Sequence, residues 1–116
     1  MEFIKGGVCA AKGFTAGGIH CGIRKNRTKR DLALIVSEKK ASAAAVYTTN
    51  LVKGAPLTVT KAHLRDGYAR AVICNSGNAN TCNANGIEIA EQTCELLGKE
   101  LKISPDDIVV ASTGVI

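Results

Sequence analysis

Two apolar runs of strand length, ARAVIC (residues 69–74) and IVVA (108–111), flank one amphipathic helical stretch. In that stretch Ile87, Ala90, Cys94, Leu97 and Leu101 recur at three-and-four spacing, while Glu88, Glu91 and Glu95 fall off the stripe. Runs this predominantly apolar are of the buried-strand kind. A helix between two buried strands predicts an α/β (α+β) layered domain, with mixed sheets and helices packed on them. Aromatic residues make up 3% of the chain and Trp is absent, so the core between those layers has to be aliphatic.

The first half reads as strands. DLALIVSE (31–38) has strand composition, and the basic stretch before it reads as a hairpin tip. ASAAAVYTTN and APLTVT have strand length and are rich in Thr and Val. KAHLRDG suits one or two helical turns closed by Gly67. Gly98 is placed to end the long helix early, at a left-handed C-terminal cap. Ser104 followed by Pro105 predicts a capped new turn. The 116 residues hold no internal repeat and no low-complexity linker, so residues 1–116 are expected to form one domain.

Charge and cysteine content narrow the function classes. The net charge of +5 is concentrated in RKNRTKR, residues 24–30. No aromatic residue interleaves with those cations to stack on bases, which argues against nucleic acid as the partner. Five cysteines at wide spacings contain no C-x-x-C pair and read as free thiols, Cys74 and Cys94 as small core residues. The N-terminus has no long apolar stretch, and nothing in the chain approaches the ~18 apolar residues of a membrane helix. A cytoplasmic protein without a membrane partner is expected.

Two small polar segments follow the buried runs. NSGNANTCNANG (75–86) precedes the helix and places backbone N–H groups at its positive end, an arrangement that suits anions. It contains neither G-K-[ST] nor G-x-G-x-x-G, and Asn and Gly also serve plain turns, so both readings stand. STG (112–114) puts a hydroxyl beside a flexible backbone N–H, the pair of donors a tetrahedral oxyanion needs. Taken alone, it reads more simply as a turn ending a strand. No G-x-S-x-G occurs, no paired carboxylates stand out, and His20 suits a packing or capping role better than a catalytic one.

KGFTAGGIHCGI, KRDLALIVSEKKASAAAVYTTNLVKGAPLTVTKAHL, ARAVICNSGNANTCNANG and VVASTGVI together, in this order, resemble the glutamate N-acetyltransferase (ornithine acetyltransferase) family of arginine biosynthesis. The resemblance covers nearly the whole chain. It implies a precursor that cuts itself before a threonine and stays together as an α2β2 assembly. The freed threonine is then the nucleophile that moves acetyl from N2-acetylornithine to glutamate, with acetyl-CoA as a second donor in some members and no resident cofactor. The matching oxyanion hole is the Thr113 hydroxyl with the Gly114 N–H. The chain corresponds to the first part of the α chain and is expected to be inactive alone, the nucleophile lying outside it. Ala11 stands where the family pattern has proline. The competing readings are a small-anion or nucleotide-binding module built on the Asn/Gly loop, and a nucleic-acid binder using residues 24–30.

Overall fold

The computed structural model describes residues 1–116. Four strands, β1 (Phe14–Ile19), β2 (Leu32–Ser42), β3 (Tyr68–Asn78) and β4 (Ile108–Val115), form one sheet in the order β1-β2-β3-β4. β1 pairs antiparallel with β2, and β2 antiparallel with β3, whereas β3 and β4 run parallel. A parallel neighbour needs a crossover, and helix α2 (Gly86–Leu101) supplies it. Helix α1 (Ala55–His63) lies between β2 and β3 in the chain. The expected mixed α/β architecture is therefore present, in a single mixed sheet.

Both helices cover the same face. Leu32, Leu34 and Val36 of β2, Ala71 and Ile73 of β3, and Ile108 and Val110 of β4 point at Val59 of α1 and at Ala90 and Cys94 of α2. Ile108 and Cys94 are fully buried. The opposite face carries Ile35, Val72, Cys74, Val109 and Ala111, all half-buried, and no helix of the chain lies over it. Cys74 is thus a half-buried residue of that second face, while Cys94 is in the core as expected.

Several elements differ from the sequence expectation. APLTVT is not a strand: Gly54 caps α1, and Pro56 sits in its first turn, where a missing N–H costs nothing. The β-branched Val59 and Thr60 are both buried against the core, and packing overrides their strand preference. ASAAAVYTTN is extended only to Ser42, and residues 43–54 form no helix or strand. The long helix does not stop at Gly98. It runs to Leu101 and closes at Lys102, which takes the left-handed conformation at φ 56°. Gly98 is instead a packing residue, since an added Cβ would lie 2.9 Å from the Ile103 carbonyl oxygen of the returning chain. Ile87 is exposed, and Gly86 and Gly98 join Ala90 and Cys94 as the buried positions.

Other expectations match. Gly67 closes the turn after α1 in a left-handed conformation, and Ser104 Oγ accepts from the Asp106 N–H at 3.3 Å. No helix is long and apolar enough to cross a membrane.

Ile108 and Val109 are neighbours facing opposite sides of the sheet, so they test which face is the core. Ile108→Ala is expected to lower the stability of the chain by about 2–5 kcal/mol through cavity formation. Val109→Ala should cost much less. Urea midpoints of the two variants check this, and equal losses would contradict the one-sided core.

Candidate active site

One of the two edges of the sheet belongs to β4, and α1 closes its first half. The Thr60 hydroxyl donates to the Val110 carbonyl at 2.9 Å and accepts from the Val110 N–H at 3.2 Å. His63 Nδ1 bonds the Ile108 carbonyl at 2.8 Å. Beyond Val110 no helix residue continues this cover. Val115, five residues on, gives its carbonyl to the Ala79 N–H on the β3 side. With the two-residue period of a strand, the backbone groups of Gly114 face the same free edge as those of Val110.

The ends of β3 and β4 meet through glycine. Gly77 pairs with Gly114 in the parallel ladder, and both have positive φ, 119° and 128°. A Cβ on Gly114 would sit 2.5 Å from the Gly77 carbonyl carbon and 2.7 Å from its nitrogen. Only a residue without a side chain permits this approach.

On either side of that contact the polar residues divide by face. Ser112 turns to the helix side, where its hydroxyl is 2.5 Å from Asn75 Oδ1. Thr113, paired with Ser76, turns to the opposite side and is exposed. Thr113 and Gly114 are therefore adjacent and accessible, where the outer edge of β4 has no neighbour. The Ser112 hydroxyl is committed to Asn75.

The Asn-rich segment is largely a structural device. Asn75 to Asn78 continue β3 rather than starting a loop. Asn78 Oδ1 accepts from the Asn80 N–H at 2.7 Å and from Asn83 Nδ2 at 3.2 Å. Buried Asn80, at φ 52°, donates to the Gly86 carbonyl at 2.8 Å and accepts from Asn83 at 3.1 Å. Its own carbonyl takes the Ala55 N–H at the start of α1. A cavity of about 250 Å³ lies beside this network, lined by Asn75, Asn78, Asn80, Asn83, Ser112 and apolar residues of the sheet and α2. The asparagines around it already bond one another, and Glu88 in the first turn of α2 opposes an anion there. The ring of bonds fits a turn that joins β3, α1 and α2 better than a nucleotide cradle.

Asp31 roots the basic loop. It is 2% exposed, and its carboxylate accepts from the Cys21 N–H at 2.7 Å and the Arg24 N–H at 2.9 Å, with His20 Nδ1 at 3.1 Å. The Cys21 and Arg24 N–H groups hold this carboxyl well below its ordinary 3.8, against the opposing effect of burial. A carboxyl depressed in the folded state stabilises it above the ordinary value, and that contribution is lost as pH falls through the folded value. His20 also bonds the Lys29 carbonyl at 3.1 Å, a loop-holding role in keeping with the expectation.

The cysteines are all free. Burial pushes the Cys94 thiol up to about 11, with Glu91, Asp106 and Glu95 acting in the same direction. Desolvation and the Asp31 carboxylate also raise Cys21. Neither is a thiolate nucleophile near neutral pH.

With this geometry in hand, the comparison with known proteins is direct. The chain belongs to the ArgJ family, which matches residues 15–116. It is 50% identical to the arginine biosynthesis bifunctional protein ArgJ of Gloeobacter violaceus, covering 100% of this chain and 29% of that protein. Its identity to the protein of the same name from Caldanaerobacter subterraneus is 44%, over 100% of this chain and 28% of that one. The chain thus spans less than a third of these curated relatives and corresponds to their N-terminal part. Among solved structures, it superposes on the Bacillus halodurans arginine biosynthesis bifunctional protein with a TM-score of 0.87 at 42% identity, over 92% of this chain and 56% of that one. The ornithine acetyltransferase of Mycobacterium tuberculosis, solved with ornithine, gives a TM-score of 0.85 at 38% identity, over 92% and 58%.

The sequence motif STG singled out Thr113 and Gly114 but not the reason Gly114 is glycine. That reason is its contact with Gly77, whose positive φ has no signature beyond the letter itself. Gly114→Ala is expected to separate the ends of β3 and β4, at a cost on the order of 1–3 kcal/mol or more. Amide exchange at Ala79, whose N–H bonds Val115, should accelerate in that variant and not in Thr113→Ala. Unchanged protection of Ala79 in Gly114→Ala would refute the role of the contact.

Proposed function

We propose that this chain is the oxyanion-bearing part of an acetyltransferase of arginine biosynthesis. The complete enzyme moves acetyl from N2-acetylornithine to glutamate through an acetyl-threonine intermediate. What supports the reading most is the exposed Thr113 hydroxyl next to a Gly114 N–H that strand alternation aims at the uncovered edge, in a chain of the ArgJ family. One relative in that family is named ornithine acetyltransferase and was solved with ornithine.

The chemistry follows from those two donors. A threonine at the start of a second chain attacks the acetyl carbonyl, its own α-amine taking the hydroxyl proton. The carbonyl oxygen becomes an oxyanion, which Thr113 and Gly114 stabilise by hydrogen bonds present before the charge develops. Collapse expels the ornithine amine, which takes the proton. The amine of glutamate then attacks the acetyl ester through a second tetrahedral state held by the same donors. Collapse of that state releases the threonine oxygen as a hydroxyl, which takes back the proton from that amine. An acetyl-enzyme between two amine exchanges gives ping-pong kinetics. Acetyl-CoA can enter the first half-reaction as a thioester donor. No acid or base from residues 1–116 is required, in keeping with the capping roles of His20 and His63.

The partners in this reading are the remainder of the same precursor, in an α2β2 assembly. The half-buried apolar face of the sheet, Ile35, Val72, Val109 and Ala111, supports a covering layer from that remainder. Residues 1–116 are then one domain of the α chain, without catalytic activity of their own. The anion-binding alternative is weakened because the Asn75, Asn80 and Asn83 side-chain amides are already engaged within the segment.

Kinetics of the fully cleaved, complete enzyme test the assignment. Thr113→Val is expected to lower kcat by roughly 10²–10³, with much less effect on KM. Thr113→Ser, which keeps the hydroxyl, should retain much of the rate. A valine variant as fast as wild type would remove Thr113 from the mechanism.

A further inference from the structure

The two polar segments singled out in the sequence are joined by their first residues. Ser112, the first of STG, donates its hydroxyl to Oδ1 of Asn75, the first of NSGNAN, at 2.5 Å. The two are partners in the parallel ladder. Asn75 Nδ2 in turn donates to the Asn78 carbonyl at 2.9 Å. The next residue, Ala79, donates its N–H to the Val115 carbonyl at 2.9 Å. Residues 112 and 115, which bracket Thr113 and Gly114, are thus both tied to the segment 75–79.

Beyond the ladder to β3, little else holds this end of β4. Its outer edge has no neighbouring strand, and the bonds from Thr60 stop at Val110. Gly114 lies against Gly77 with no side chain on either, and both have positive φ. Glycine brings conformational freedom, which opposes donors fixed before charge develops. The bond to Asn75 is the only side-chain hydrogen bond made by residues 111–115. It also sets direction. Successive strand residues face opposite sides, so a Ser112 side chain pinned on the helix side keeps Thr113 on the other. The anchor is firm: Asn75 is paired with Leu32 of β2 as well as with Ser112, and the adjacent Ser76 N–H bonds the Asp31 carbonyl at 2.8 Å.

We infer that Ser112 and Asn75 are positioning residues, whose bond holds the Thr113 hydroxyl and the Gly114 N–H in place for the oxyanion. This inference rests on the acetyl-transfer reading above. Neither side chain touches the reacting atoms, because both line the cavity on the helix side of the sheet while Thr113 faces the other side. A misplaced donor pair leaves substrate binding intact but stabilises the tetrahedral state less. The loss therefore falls on kcat and not on KM.

The test uses the complete, cleaved enzyme with Ser112→Ala, Asn75→Ala, the double variant and Ser112→Thr. kcat and KM are measured for N2-acetylornithine and glutamate, with active sites counted by the acetyl they take up. Each alanine variant is expected to lower kcat about 10-fold, short of the ~10²–10³ lost with a donor, with KM within about twofold of wild type. One shared bond predicts a double variant no slower than Asn75→Ala alone. Ser112→Thr keeps the hydroxyl, and the adjoining cavity of about 250 Å³ has room for its methyl, so its kcat should stay close to that of wild type. Ile108→Val, which weakens the core away from the bond, should leave kcat per active site unchanged. Normal kcat in both alanine variants would overturn the inference while leaving acetyl transfer in place. Losses that multiply in the double variant, or an equal loss in Ile108→Val, would also overturn it, since either marks a general loosening of the fold. Absence of transfer by wild type would instead sink the acetyl-transfer reading, and the inference with it.

Discussion

The parallel pairing of β3 with β4 is the constraint on which the other elements depend. It runs from Ala71 with Ile108 to Asn78 with Val115. At one end it aligns Ile73 and Val110 so that α1 and α2 can close over them. At the other it forces two backbones together at Gly77 and Gly114, where any side chain would separate them. The crossover through α2 makes the pairing possible, and the asparagine network at its start ties the end of β3 to both helices. Thr60 and His63 then satisfy the edge of β4 only as far as Val110. The uncovered remainder of that edge is where the candidate donors lie. Core, cover and site are consequences of one strand pair.

Much of this was legible in the sequence because hydrophobic period survives without context. The apolar stretch at 69–74, the stripe along α2 and the capped turn at Ser104 are local patterns with local causes. APLTVT misled because its β-branched residues suit a strand, while their actual setting is a helix packed on β4 and bonded to Val110 through Thr60. Gly98 misled for the same kind of reason. Its position suits a helix end, but what it makes room for is the chain returning at Ile103, a contact no neighbour in sequence announces. The buried stripe of α2 shifted toward Gly86 and Gly98 because small residues let the helix approach, and a stripe drawn from large apolar letters passes them over.

The candidate site was legible as a motif and not as geometry. STG names the two donors, yet a triplet cannot say that Ser112 and Thr113 face opposite sides of the sheet. That division commits one hydroxyl to Asn75 and leaves the other exposed. The Asn-rich segment showed the opposite error. Its composition suited a ligand loop, but the side chains spend their hydrogen bonds on one another. The basic run looked like a solvated tip because charge clusters usually are, and its packing on Gly77 depends on the β1–β2 hairpin and on Asp31 beneath it. Long-range contacts of this kind are set by topology, and neither composition nor spacing encodes them directly.

The central claim is that the outer edge of β4 is left uncovered at its end so that the Gly114 N–H and the Thr113 hydroxyl can meet an oxyanion. A crystal structure of the complete, cleaved enzyme with a phosphonate analogue of the tetrahedral state tests it most directly. The account predicts one phosphonate oxygen at about 2.7–3.1 Å from both the Gly114 nitrogen and Thr113 Oγ. A phosphonate oxygen held by other groups, with the Gly114 N–H instead paired to a neighbouring strand, would contradict it.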